Sequence, residues 1–122
     1  MIGYTTFGTN DLQRSAKFYD ALLAELGAKR AMEMETFIAW AAAPNTPMVA
    51  VIKPFDGKTA TVGNGVMVAL AASSKEQVNA VHAKALALGG KDEGAPGPRG
   101  PGFYAGYFRD LDGNKLNAFF IG

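Results

Sequence analysis

Two stretches of this chain, 63 residues apart, carry the same punctuation. Asn10 and Ser73 stand as helix N-caps, and Gln13 and Glu76 follow them at the spacing that completes a capping box. Leu23-Ala24 recurs as Leu86-Ala87, and Gly27 recurs as Gly90, each glycine where a helix needs a left-handed terminating residue. A strand running into a capped helix is thus used twice, over Tyr4–Gly27 and Met67–Gly90. At 122 residues the chain is too short for two independent domains, so the copies must share a core. The expected organisation is one domain, 1–122, made of modules 1–53 and 65–122 with connector 54–64 between them.

Periodicity fills in each copy. Ile2–Thr9 alternates as a strand, with Tyr4, Thr6 and Gly8 on one face and Thr5 and Phe7 on the other, toward the helix. In that helix Leu12, Ala16, Tyr19, Leu22 or Leu23, and Leu26 form one apolar stripe. Lys29–Met34, Thr36–Ala42 and Pro47–Lys53 follow as strands, the last two joined by turn residues Ala43–Thr46. The second copy reads as strand Gly65–Ala71, helix Lys75–Leu88 with Val78, Val81 and Ala85 inward, and a hairpin, Phe103–Arg109 and Lys115–Ile121, around an Asp-Gly turn. Gly90–Gly102 holds five glycines and three prolines, so apart from a short edge strand it is expected as a surface loop and a candidate lid. The fold class is α+β: two βαβββ modules with pseudo-two-fold symmetry, each a curved mixed sheet or half-barrel with its helix outside.

Composition removes several partners. Lys and Arg total 12 against 11 Asp and Glu, a balance that gives no field to gather nucleic acid or an anionic membrane. No apolar run approaches the ~20 residues that span a bilayer. Cysteine is absent, which excludes disulfides and thiolate chemistry and suits a reducing compartment, so a cytoplasmic location is expected.

Asp11-Leu12 leading to Phe18-Tyr19, and the closing run Asp110-Leu111-Asp112-Gly113-Asn114 through Phe119, resemble the vicinal oxygen chelate superfamily of glyoxalases, bleomycin-resistance proteins and extradiol dioxygenases. Members usually have Pro at the place of Leu111. The resemblance implies a concave site inside the half-barrels and a homodimer. It also implies metal ligands, in the enzymes of the family, on the first and last strands of each module. Here those positions fall on Tyr4, Met67, Asn117 and, by matching PMVAVIK to KLNAFFI, Val49. Tyr, Met, Asn and Val make a poor shell for a divalent ion, so no metal and no cofactor is expected.

The inward parity of Tyr4, Thr6, Met67 and Asn117 offers a phenol, a hydroxyl, a thioether and an amide, which orient a neutral ligand better than they catalyse. Trp40, Tyr104 and Phe119 are candidates for stacking on it, and Arg99, in the Gly/Pro segment, for closing over it. Lys53 reads as a solvated cation. His82, the one histidine, sits at the place of Tyr19 on a sheet-covering helix and reads as structural, and Glu33 and Glu35 point to solvent from an edge strand. These features favour a binding protein for a small, partly aromatic molecule. A metal enzyme with atypical ligands and an interaction module without a ligand stand as alternatives.

Overall fold

The computed structural model describes all 122 residues, Met1–Gly122. The elements run β1 (Tyr4–Gly8), α1 (Leu12–Ala24), β2 (Lys29–Met34), β3 (Phe37–Ala41), β4 (Met48–Ile52), β5 (Val68–Ala71), α2 (Lys75–Ala87), β6 (Lys91–Pro98), β7 (Phe103–Arg109) and β8 (Lys115–Ile121). Each βαβββ module forms one four-stranded mixed sheet, in the orders β1-β4-β3-β2 and β5-β8-β7-β6. In both, the first strand lies parallel to the last and the remaining pairs are antiparallel. The repeat inferred from the caps is therefore a repeat of topology.

Both caps sit one residue later than the sequence reading placed them. Asp11 accepts from the Arg14 N–H, and Ser74 from the Gln77 N–H. In each copy two cap-competent residues are adjacent, and the first is drawn elsewhere: the Asn10 amide holds both backbone groups of Ala60 in the connector. Gly27 ends α1 with φ of 76°, whereas the left-handed residue after α2 is Gly89 (98°), not Gly90.

Lys91–Pro98, expected mostly as loop, is an eight-residue edge strand. Its glycines and Pro96 sit where the ladder to β7 shifts register, between Asp92 and Gly94 and between Gly94 and Gly97, and Pro98 closes the strand. Proline is tolerated at such bulges on an edge, so a Gly/Pro-rich stretch can still pair. Tied to β7 along its length, the segment is not a free lid.

One hydrophobic cluster joins the modules, from Phe7, Tyr19 and Trp40 in the first to Leu70, Val81 and Phe108 in the second. Beside it the Asp110–Asn114 turn of module 2 is fastened to module 1. The carboxyl group of Asp110 accepts the Tyr19 hydroxyl at 2.6 Å, the backbone N–H groups of Asp112 and Asn114, and the Asn114 amide. That amide also donates to the Gly8 carbonyl at the end of β1. Burial, reinforced by the charges of Asp110 and Asp112, pushes the Tyr19 phenol well above its usual 10.0.

Replacing Tyr19 by Phe should therefore cost about 1–3 kcal/mol in denaturant unfolding, because Asp110 loses a buried donor. The pH dependence has a definite sign. The folded state holds the phenol neutral while the unfolded chain releases its proton from about pH 10 upward, so this stability is complete below that pH and fades as pH rises toward the folded value. Tyr19→Phe should flatten the alkaline limb of a stability–pH curve; an unaltered limb would remove the assignment.

Candidate functional site

Alternation along the strands sorts the expected site residues into two groups. Phe7, Ile38, Trp40 and Val51 of module 1 and Leu70, Phe108, Leu116 and Ala118 of module 2 lie in the helix-covered core. Their neighbours consequently point to the inner faces of the sheets. Tyr4, Thr6, Phe37, Ala50 and Ile52 occupy that face in module 1, and Asn117, Phe119, Phe103 and Tyr107 in module 2. Trp40 and Tyr104 are on the other side.

The module 1 face is apolar and open. Tyr4 is 57% exposed and meets Phe37 edge-on at 5.9 Å. With Thr6, Met32, Met34 and Ile52 these rings edge a shallow hollow of about 300 Å³. On the module 2 face Phe103 stacks on Phe119 at 5.7 Å, while Arg99 and Lys115 both lie over the Tyr107 ring, at 5.5 and 5.6 Å. Arg99 is held there by its bond to the Ala95 carbonyl, within its own strand and turn. Asn117, between Ala69 and Tyr107 in the ladders, is 2% exposed, and its Oδ1 has no partner. Tyr4 and Thr6 thus share one hollow, and Asn117 and Phe119 belong to a separate face. The structure does not gather the four inward groups around one cavity.

Trp40 is 1% exposed beneath α1, its ring 5.7 Å from Tyr19 and its indole N–H on Asp20. Asp20 also takes a two-pronged contact from Arg30, at 2.8 Å on each oxygen. Those guanidinium bonds, with the indole bond behind them, hold the Asp20 carboxyl below its usual range against an opposing effect of burial. Tyr104 bonds Asn79 of α2 and lies under Lys75. Aromatic density along β3 and β7 had favoured the cleft for both, but alternation places them against the helices. His82 is buried on α2 with Nε2 at 3.1 Å from Asp92 and 3.2 Å from the Tyr107 carbonyl. Both neighbours accept, so that nitrogen carries the proton and ties β6 to the helix. Lys53 is exposed, and Glu33 pairs with Arg30 on the sheet edge.

The largest apolar cavity lies elsewhere, at the seam between the modules. It measures about 580 Å³ and runs between β5, the β3–β4 turn and the end of α1. Leu23, Leu26, Val49, Val68 and Leu70 give it an aliphatic wall, and Trp40 and Met67 also line it. Thr5 is the one lining residue with a polar side chain, and its Oγ1 is enclosed, without a partner and closed off from the space. No charged residue lines it. Sequence reading missed this space because no polar motif marks it; the signal was the unequal chemistry of two equivalent turns, visible only once the registers are known.

A divalent ion finds no shell on these faces. The registers pair Thr6 with Ala50 and Ala69 with Asn117, so the counterpart of Asn117 in module 1 is Ala50 and not Val49, which faces α1. Tyr4, Ala50, Met67 and Asn117 supply neither a carboxylate nor an imidazole. Nowhere do three or more His, Cys, Asp or Glu side chains come together at metal-binding distance. The residues present do not fit the group that the family's metal enzymes carry.

The Glyoxalase/Bleomycin resistance protein/Dioxygenase superfamily model matches residues 1–118. Among solved structures, a glyoxalase/bleomycin resistance protein from Albidiferax ferrireducens T118 is 39% identical with a TM-score of 0.90, over 98% of this chain and 97% of that one. A putative glyoxalase from Bacillus halodurans shares the fold at 20% identity (TM-score 0.79, 98% and 94% covered). So does a lactoylglutathione lyase from Agrobacterium tumefaciens at 18% (TM-score 0.69, 98% and 92%). No curated protein matches the chain. This chain belongs to the glyoxalase/bleomycin resistance protein/dioxygenase superfamily. No helix in it is long and apolar enough to cross a membrane.

An unpaired buried amide costs stability, so Asn117→Leu, close in shape and without the orphaned group, should leave the melting temperature unchanged or raise it by a few degrees. A clear drop in a thermal melt would mean that Asn117 is bonded in solution.

Proposed function

We propose that this protein binds a small, partly aromatic molecule without a bound metal ion, and that the seam cavity is where it does so. The observation that carries this reading is the cavity itself. At about 580 Å³, largely apolar and lined in part by Trp40, it falls within the ~300–1,000 Å³ of ordinary small-molecule sites. The inner-face positions Tyr4, Ala50, Met67 and Asn117 support the metal-free part of the reading, since none of them repays the dehydration of an ion. Met67 and Trp40 of the expected site residues line the cavity.

The remaining expected residues suit a second role. Tyr4, Met32 and Met34 leave apolar surface exposed on the inner face of module 1, while Asn117 lacks a partner on that of module 2. A second copy of the chain is the natural cover for such surface, and Tyr4, Thr6, Arg99 and Phe119 would then meet it. Tyr104, engaged with α2, takes no part.

Three measurements test this reading. Protein produced with zinc, nickel, iron and manganese available should contain far less than one equivalent of any of them after dialysis. One tightly held equivalent, lost in Asn117→Ala, would make the metal-enzyme alternative the better one. A thermal-shift screen of aromatic antibiotics, catechols and glutathione adducts should give saturable stabilisation by at least one class, as mass action requires. No shift from any class would leave the interaction module standing. Light scattering at micromolar concentration should report twice the monomer mass, and a monomer would remove the paired inner faces.

A further inference from the structure

The polar groups that the seam cavity offers a ligand belong to the main chain. Thr5 Oγ1 is closed off, and the Trp40 indole N–H is taken by Asp20. What remains is the free margin of β5, an outer strand paired only with β8. In a parallel ladder, alternate residues turn both backbone groups toward the same neighbour. The Ala72 N–H donates to the Phe119 carbonyl, which gives Leu70 and Val68 the same direction and turns the N–H and C=O of Ala69 and Ala71 outward, to the seam. Both alanines are exposed and both line the cavity. Nothing in the chain bonds these outward groups.

The other seam shows what such a margin takes. Trp40 pairs with Val49 as Phe108 pairs with Leu116, and Gly8 pairs with Ile52 as Ala71 pairs with Phe119. Counting outward from these pairs, Ala42 is the counterpart of Asp110, Pro47 of Asn114, and Ala71 of Gly8. The Gly8 carbonyl, on the free margin of β1, accepts the Asn114 side-chain amide. Pro47 has no donor to give the Ala71 carbonyl. With no charged side chain in the wall, a buried carboxylate or ammonium would go unpaired, at a cost that excludes it. We propose that the ligand is a neutral cyclic amide on an aromatic body, whose N–H donates to the Ala71 carbonyl while its C=O accepts from the Ala71 N–H. It replaces the amide that Asn114 supplies on the other side. This deepens the binding reading above and rests on it. An extended peptide presents the same groups, but within β5 only Ala69 and Ala71 face outward, and strand addition draws its affinity from a longer run of main-chain bonds.

Three probes of similar size separate the possibilities by calorimetry and thermal shift. Quinolin-2(1H)-one carries the amide, coumarin has the same shape with a ring oxygen in place of the N–H, and 2-naphthoate carries a charge instead. Quinolinone should bind about tenfold tighter than coumarin, which sets an oxygen against the Ala71 carbonyl, and at least tenfold tighter than naphthoate. Saturating quinolinone should also slow hydrogen exchange at the Ala71 amide, a measurement on the wild type that needs no variant. Ala42→Leu, which fills the space, should abolish binding of quinolinone and coumarin alike and raise the melting temperature of the free protein.

Equal binding of coumarin and quinolinone, preference for naphthoate, or unchanged exchange at Ala71 would overturn the assignment of ligand class and leave the cavity as a binding site. Tighter binding of the peptide acetyl-Val-Ala-Val-amide than of quinolinone would make the occupant an added strand, with the same result for the proposal. Failure of all the probes in the wild type, or quinolinone binding that survives in Ala42→Leu, would overturn both the ligand class and the binding site. Loss of self-association in Ala42→Leu, seen by light scattering, would show that a segment of a second copy fills the cavity and would overturn both as well.

Discussion

Asp110 is the point on which the two halves of this molecule turn. Its carboxyl group is buried with no cation beside it, yet each oxygen has two donors: backbone N–H groups on one, the Tyr19 hydroxyl and the Asn114 amide on the other. A buried carboxyl group is tolerable only when its hydrogen-bonding capacity is filled in this way. Because one of the donors comes from the other module, the turn folds correctly only when the modules are docked. Local order and long-range assembly thereby become one event. The Asp-x-Asp-Gly-Asn pattern, met in the sequence as a family signature, is physically a clasp between duplicated halves.

Much of this architecture was legible because it repeats. Cap, helix and terminating glycine recur at a constant spacing, and a pattern that recurs is harder to produce by chance than one that occurs once. What failed were details that depend on a competitor. Asn10 is as good a cap as Asp11 until the connector takes its amide, and no local rule foresees that Ala60 will lie 50 residues away and in reach. Lys91–Pro98 has the composition of a loop and the pairing of a strand because its glycines and Pro96 coincide with the bulges and Pro98 falls at its end. Composition counts breakers, whereas register decides whether they break anything.

The site was less legible than the fold, for a related reason. Parity from one strand to its neighbour is safe over a few residues, which is why Tyr4, Thr6, Asn117 and Phe119 face inward as expected. It does not survive a turn of uncertain length. The β3–β4 connection is one residue longer than the β7–β8 connection, so the likeness of PMVAVIK to KLNAFFI sets Val49 where Ala50 belongs. Trp40 was drawn to the cleft by the aromatic density around it, although its neighbours in β3 already implied the opposite face. The seam cavity has no sequence signature, since it is made by the smallness of Ala42, Pro47 and Ala71 rather than by any group that announces itself.

The bulged β6 has a consequence for the molecule in a crowded solution. Each sheet ends in two outer strands, β1 and β2 in one and β5 and β6 in the other, and an outer strand offers unpaired backbone groups to any neighbour that can align with them. Two of them interrupt their own ladders, β6 twice and β2 between Arg30 and Met32. Pro96 and Pro98 further remove two amide donors from β6, and Lys29, Arg30 and Glu33 set charge along β2. Neither margin presents the straight, evenly spaced row of donors and acceptors that a foreign strand needs for docking. The irregularity that made β6 hard to recognise thus also makes it a poor template for a foreign strand.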